Sequence, residues 1–284
     1  MTGISGRSFV ALVALSTLLG TPDVLADTLK RVAESGVIRI GHRADALPHS
    51  YVDTAGRPAG YIVDLCREVV ASVQDRLKPT PIRTEFILVT AQDRFEAVRD
   101  GRVDLLCEPS SITMARREIV DFSIPTFVDG AGIAFRDKEI TRFEDFAGRK
   151  VGVLNGTTTH DLLRSALLQL GVKAEIVVAT DHRSGIRMLA DGKLDAYFAD
   201  RAILAYLYSR FESSRNFRLG KHHFSYETYG LALQRGDDEF RWLVDRTLAR
   251  LARDGRMNTF ASRNFGIAND ELLNALIVVN SLPD

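Results

Sequence analysis

The sequence predicts an α/β protein of two lobes, each an open, mainly parallel sheet flanked by helices, with a ligand cleft between the lobes. Three observations carry that expectation. From Val37 onward, short β-rich runs alternate with amphipathic helical stretches. The βαβαβ order reaches Cys107 and begins afresh at Lys150. Residues 27–284 suffice for two modest domains, at ~100–200 residues each.

Val37 to Gly41 supplies the first strand. Tyr61 to Leu77 is a helix, because Ile62, Leu65, Val69, Val70 and Val73 recur at the spacing that puts them on one face. Glu85 to Val89 is the second strand, Gln92 to Arg99 the next helix and Val103 to Cys107 the third strand. The second unit runs through strand Lys150 to Leu154, helix Thr159 to Leu170, strand Glu175 to Val178 and helix His182 to Asp191. Strand Ala196 to Phe198 and helix Arg201 to Ser209 complete it. Gly230 to Gln234 forms a late strand, and Asp238 to Asp254 and Met257 to Asn264 are helical. Gly130 to Phe135 and Thr228 to Leu233 read as paired crossovers, so lobe one is discontinuous, 27–134 plus 229–284, and lobe two is 135–228.

Residues 1–26 stand apart as a targeting segment. Arg7 provides a sparse positive start, Phe9 to Leu19 an apolar stretch, and Val24-Leu25-Ala26 a small-residue cleavage site, so the mature chain begins at Asp27. The apolar run is shorter than the roughly 20 residues of a spanning helix. Export to the periplasm is the expectation. There, Cys66 and Cys107 are either joined in a disulfide or two separate buried thiols. Two cysteines without a nearby histidine set do not suggest zinc, and no cofactor is expected. The 37 basic and 37 acidic residues balance, which leaves no overall field for nucleic acid or an anionic membrane. Recognition by charge must therefore be local.

Open parallel sheets bind ligands beyond the carboxyl ends of their strands. In lobe one those positions hold Arg43, Arg94 and the run Ser110-Ser111-Ile112-Thr113 with Arg116; in lobe two, Gly156-Thr157-Thr158, His182 and Asp200. An arginine fork pairs with a carboxylate through two charge-assisted bonds. Gly-Thr-Thr ahead of a helix offers backbone N–H groups at the positive end of the helix dipole. Asp200 suits a ligand ammonium. One ligand carboxylate needs one arginine and a helix N-terminus, so the two further arginines argue for a second carboxylate. Taken singly, each residue has a plainer account: a solvated arginine, or threonine as a helix N-cap.

Taken together they resemble the type II periplasmic binding proteins of polar amino-acid ABC transporters, in particular the glutamate/aspartate-binding branch. Gly41-His42-Arg43 through Pro48-His49-Ser50-Tyr51 is similar to that branch's opening, and Asp104 to Ser123 to the signature after its third strand. Gly156-Thr157-Thr158, Asp181-His182 and Asp195 to Asp200 extend the match along nearly the whole mature chain. The resemblance implies that Arg116, Ser111 and Thr158 hold the ligand α-carboxylate, Asp200 the α-ammonium, and Arg43, Arg94 and His182 the side-chain carboxylate. It also implies a monomer that closes about a hinge and hands glutamate or aspartate to an inner-membrane permease without catalysis. The sequence departs from the branch at Ala91 and Pro109, where it has serines, at His49, which replaces an aromatic, and at Glu108, where it tends to have glycine. These departures keep glutamine, asparagine and larger dicarboxylates in range. Two other classes compete: an enzyme resembling periplasmic cyclohexadienyl dehydratase, with His182 or Glu108 as acid or base, and a sensor module.

Overall fold

The computed structural model describes residues 27–210, 216–266 and 271–283; the expected targeting segment and its cleavage site lie outside the described residues. Two five-stranded sheets form the two lobes. In the first, strands Arg83–Leu88, Val37–His42 and Leu105–Leu106 run parallel, and Ala232–Leu233 lies antiparallel between the last of these and Asp121–Phe122. The second repeats the plan with Glu175–Ala179, Lys150–Leu154 and Ala196–Asp200 parallel. Ala131–Phe135 lies antiparallel beside the last of these, with Arg218–Leu219 at the edge.

Strand periodicity shows in Ala196–Asp200, buried on both sides: Tyr197 and Ala199 enter one core with Ile186, Leu189 and Leu204. Ala196 and Phe198 enter another with Val151, Val153 and Leu163. On the first lobe, helices Tyr61–Arg76, Asp238–Arg253, Arg256–Phe265 and Glu271–Asn280 share a core with Ile38, Ile40 and Leu105. In Tyr61–Arg76 it is Ile62, Leu65, Cys66, Val69 and Val73 that are buried, the face expected from their spacing. A disulfide joins Cys66 on that helix to Cys107 at the end of the strand Leu105–Leu106, 41 residues away. Among the described residues no helix is long and apolar enough to cross a membrane.

The crossovers lie a few residues earlier than expected. Phe127–Asp129 and Glu227–Tyr229 pair antiparallel, matching Phe127 with Tyr229 and Asp129 with Glu227. Ala131–Phe135, expected as a crossover, is instead buried along its whole length inside the second sheet, and the 134/135 boundary falls within it. A run of five small and apolar residues suits an interior strand better than an exposed connection. Helix Thr28–Ser35, capped by Asp27, and the three-stranded sheet Asp45–Ala46, Ser50–Val52 and Pro58–Ala59 had no counterpart in the sequence pattern. Two- and three-residue strands are too short to show a period.

Candidate functional site

The residues singled out at strand ends meet at the junction of the lobes. Arg43 follows the first strand, Arg94 opens the helix Arg94–Arg99, and Ser111 and Arg116 come from the segment after Cys107. From the opposite lobe, Thr158 begins the helix Thr158–Gln169, His182 begins His182–Ala190, and Asp200 ends its strand. Thr157 is the cap of the first of these helices, its hydroxyl accepting from His160, and Asp181 caps the second by accepting from Ser184. Thr158 and His182 are therefore the first helical residues, placed where backbone N–H groups are unsatisfied by the helix itself.

Among the described residues, three polar contacts join strand-end and loop residues across the cleft. The Ser111 and Thr158 hydroxyls are 3.2 Å apart, Arg94 donates to the Gly156 carbonyl at 3.1 Å, and the His182 backbone N–H donates to Asp45 at 3.4 Å. Gly156 has φ +75°, and a Cβ there would stand 2.6 Å from the Ala91 carbonyl oxygen. Glycine is what lets the two loops approach this closely.

On the first lobe Arg43 and Arg94 are buried, Arg116 is partly buried, and all three have partners. Arg43 donates to one oxygen of Asp45 through Nε and Nη2, at 2.9 and 2.6 Å. Arg94, 2% exposed, donates to the Ala91 carbonyl and sets Nε 3.2 Å from Glu108. Arg116 donates to the Ser111 carbonyl at 2.8 Å, and its guanidinium lies over the Phe95 ring beside that of Arg94. Glu108, 0% exposed, stands between Arg94 and Arg43, with the second of these at 3.7 Å, and accepts from the Ser110 hydroxyl. Burial, reinforced by Arg116 and Arg43, brings the Arg94 pKa down to about 10 against the pull of Glu108, so the guanidinium keeps its charge at neutral pH. Burial alone would raise the Asp45 carboxyl, but Arg43 and His182 outweigh it and hold it below the usual range. Burial lowers His182 to about 4, with Arg43 adding to the shift and Asp45 opposing it. That imidazole is neutral at pH 7 and shares a hydrogen bond with the Tyr197 hydroxyl at 3.1 Å.

The other side of the cleft is acidic. Asp200 Oδ1 is buried without a hydrogen-bond partner among the described residues. Asp129, on the crossover strand, accepts from the Tyr229 hydroxyl at 3.1 Å and from the Ala202 N–H. Glu227 accepts from Thr158 at 2.6 Å and from Ser225 at 2.9 Å. Burial and mutual repulsion raise Asp200 well above the carboxylate range, and burial with Glu227 raises Asp129 to about 7 despite its hydrogen bonds. A cation suits such a cluster; the fields of Arg116 and Arg94 both reach Asp200, and that of Arg116 also reaches Glu227.

Asp45, Asp129, Glu227 and Tyr229 were not anticipated from sequence. They sit on the small sheet and the crossover strands, where the strand-exit rule does not look. Glu108 was noticed as a departure, but its pairing with two arginines was not.

The family model for bacterial extracellular solute-binding proteins, family 3, matches residues 38–267. The chain belongs to that family. It is 30% identical over 263 residues to the L-glutamate/L-aspartate-binding protein of Pseudomonas aeruginosa, covering 91% of this chain and 87% of the relative. A mutant of ArgBP from T. maritima superposes with a TM-score of 0.76 over 85% of this chain and 100% of that one, at 21% identity, which bears on fold alone. The ancestral amino-acid-binding protein AncCDT-1, a precursor of cyclohexadienyl dehydratase, superposes with a TM-score of 0.73 at 25% identity over 84% of this chain and 100% of its own. The fold is thus the two-lobed type II periplasmic binding architecture.

Proposed function

We propose that this protein is the extracytoplasmic substrate-binding component of an amino-acid ABC transporter and that its ligand is an acidic amino acid, glutamate or aspartate. The observation that carries the reading is the polarity of the cleft: buried Arg43 and Arg94 with the partly buried Arg116 face one way, and Asp200 with its acidic neighbours faces the other. An α-amino acid has both signs of charge at one end, and an acidic one adds a carboxylate at the other. Arg116, Ser111 and Thr158 take the α-carboxylate, Asp200 takes the α-ammonium, and Arg43, Arg94 and His182 line the side-chain end. His182, being neutral, contributes a hydrogen bond rather than a charge. The glutamate/aspartate relative supports the same ligand class.

Ligand first meets lobe one, 27–134 with 229–284, its first boundary moved to Gly130. Lobe two then closes about the crossover strands, and the burial of charge strengthens each matched pair while penalising any unmatched one. The closed monomer is handed to an inner-membrane permease. Export through residues 1–26 places the mature chain in the periplasm, and its N-terminal mass after secretion should start at Asp27.

Calorimetric titration of refolded, ligand-stripped protein tests the ligand. Sub-millimolar binding of glutamate or aspartate is expected; no acidic amino acid binding below about 1 mM would sink the reading. The kinship with AncCDT-1 favours one other possibility, a dehydratase acting on a cyclic dicarboxylate. Of its two nominated acids or bases, Glu108 is engaged by Ser110 and the two arginines, and His182 shares a hydrogen bond with the Tyr197 hydroxyl. Turnover of prephenate or arogenate without stable amino-acid binding would decide for the enzyme.

A further inference from the structure

Glu108 occupies, from the protein's own chain, the position between Arg43 and Arg94 where a ligand carboxylate would seek its partners. Its Oε1 accepts from Ser110 and lies 3.2 Å from Arg94 Nε. Its Oε2 lies 3.7 Å from Arg43 Nη1 and accepts no hydrogen bond among the described residues. Arg43 spends Nε and Nη2 on Asp45, and Arg94 spends Nη1 on the carbonyls of Ala91 and Gly156. A side chain arriving here meets donors on the guanidinium groups and one lone buried acceptor on Glu108.

An amide satisfies both, its oxygen accepting from arginine and its N–H donating to Oε2. A carboxylate satisfies only the arginines and sets a second negative charge against Glu108. Two carboxylates within hydrogen-bond distance do not both stay ionised.

We propose that Glu108 recognises a hydrogen-bond donor on the ligand side chain, so that glutamate or aspartate is taken together with one proton shared between its side-chain carboxyl and Glu108, whereas glutamine or asparagine needs none. This rests on the acidic-amino-acid reading and specifies the protonation state in which that ligand is held. The proton comes from solvent, and the new contact is O–H···O between the two carboxyl groups. The groups facing Glu108 are the Ser110 hydroxyl from its own loop, Arg94 from its helix and Arg43 from the end of the first strand, with Asp45 behind Arg43; the field of Arg116 also reaches it. From the second lobe, the Gly156 carbonyl and the His182 N–H engage Arg94 and Asp45.

Calorimetry of the native protein in two buffers of different ionisation enthalpy counts the protons. At pH 7 glutamate should take up about one proton more than glutamine. The ratio of glutamate to glutamine affinity should grow about tenfold for each pH unit of acidification. Proton exchange at the ammonium end is common to both ligands and cancels in that difference. Glu108→Gln supplies its own donor, so glutamate should then bind without the extra proton and the ratio should lose its pH dependence. Equal proton counts for the two ligands on the native protein would overturn the inference whether or not the variant folds, and would leave the acidic-amino-acid reading standing. Failure of both ligands to bind below about 1 mM would overturn both.

Discussion

The two sides of the cleft differ in how fully their charges are matched. On the first lobe each of the three cleft arginines has a partner, Asp45 or Glu108 for two of them and a carbonyl for the third, and the loop that carries Glu108, Ser111 and Arg116 starts from a disulfide. On the other side Asp200, Asp129 and Glu227 crowd together, and their hydrogen bonds come from hydroxyls and backbone rather than from a cation. A matched region gains less from a new charge than an unmatched one, since the reference state already holds its counter-ions. The ligand ammonium should therefore contribute more to affinity than its side-chain charge, the reverse of what the arginine count suggests.

The largest expected effect bears on the pinned side. Closing a loop of 41 residues corresponds to about 4 kcal/mol on the chain-entropy estimate. Cys107→Ser should lower the free energy of unfolding by an amount of that order in denaturant titrations and weaken binding through loss of loop position. Unchanged stability and affinity would remove the idea that lobe one is a preset half. Next comes the unmatched side. Asp200→Asn should weaken any α-amino acid by on the order of 3 kcal/mol, more than 100-fold in Kd. A loss smaller than that of Arg43→Ala would invert the comparison.

Acidification probes the same side more gently. Burial raises Asp129 to about 7 and raises Asp200 as well, so around pH 7 the Asp129 carboxyl is partly protonated in the free site and a ligand ammonium would favour release of that proton. Binding then releases protons, and affinity for a neutral-side-chain ligand such as glutamine should fall as pH drops below about 7, by up to about tenfold per unit. Pairs of titrations at pH 8 and pH 6 would measure this, and a flat profile would mean the cluster does not change its protonation on binding.

The smallest effect lies at the base of the crossovers. His49 is fully buried among Tyr61, Phe127, Tyr229 and Phe265, with neither ring nitrogen hydrogen-bonded among the described residues. Burial lowers it to about 3. Its folded-state pKa is below its unfolded one, so the native state is favoured above about pH 6.5 and that advantage drains away as pH falls, at about 1.4 kcal/mol per unit. His49→Phe removes two unsatisfied polar atoms and should add about 1 kcal/mol at pH 7 and more at pH 5. Thermal melts at the two pH values would show whether the gain widens.

What was legible in the sequence follows the same division. Long periodic elements such as Tyr61–Arg76 and Lys150–Leu154 announced themselves, and the rule that ligands gather beyond strand ends led to residues the fold brings to one cleft. Asp45, Asp129 and Glu227 were silent because they sit on strands of two or three residues, whose pairing is decided by distant chain. Ala131–Phe135 misled because an all-apolar run has no side to reveal whether it crosses between lobes or lies within one. Glu108 was visible as an odd residue, yet its partners stand far away in sequence, and only packing reveals that it answers the arginines.

The bond between Cys66 and Cys107 also sets a schedule. It forms only where thiols can be oxidised, so a chain in a reducing compartment lacks the anchor of the loop that carries Ser111 and Arg116, two of the seven proposed binding residues. Ligand stabilises a fold only to the extent that it binds it. On the export route proposed above, a nascent chain with an unfinished pocket would gain little from the amino acids of the cytoplasm and would become a tight receptor only once that bond is made.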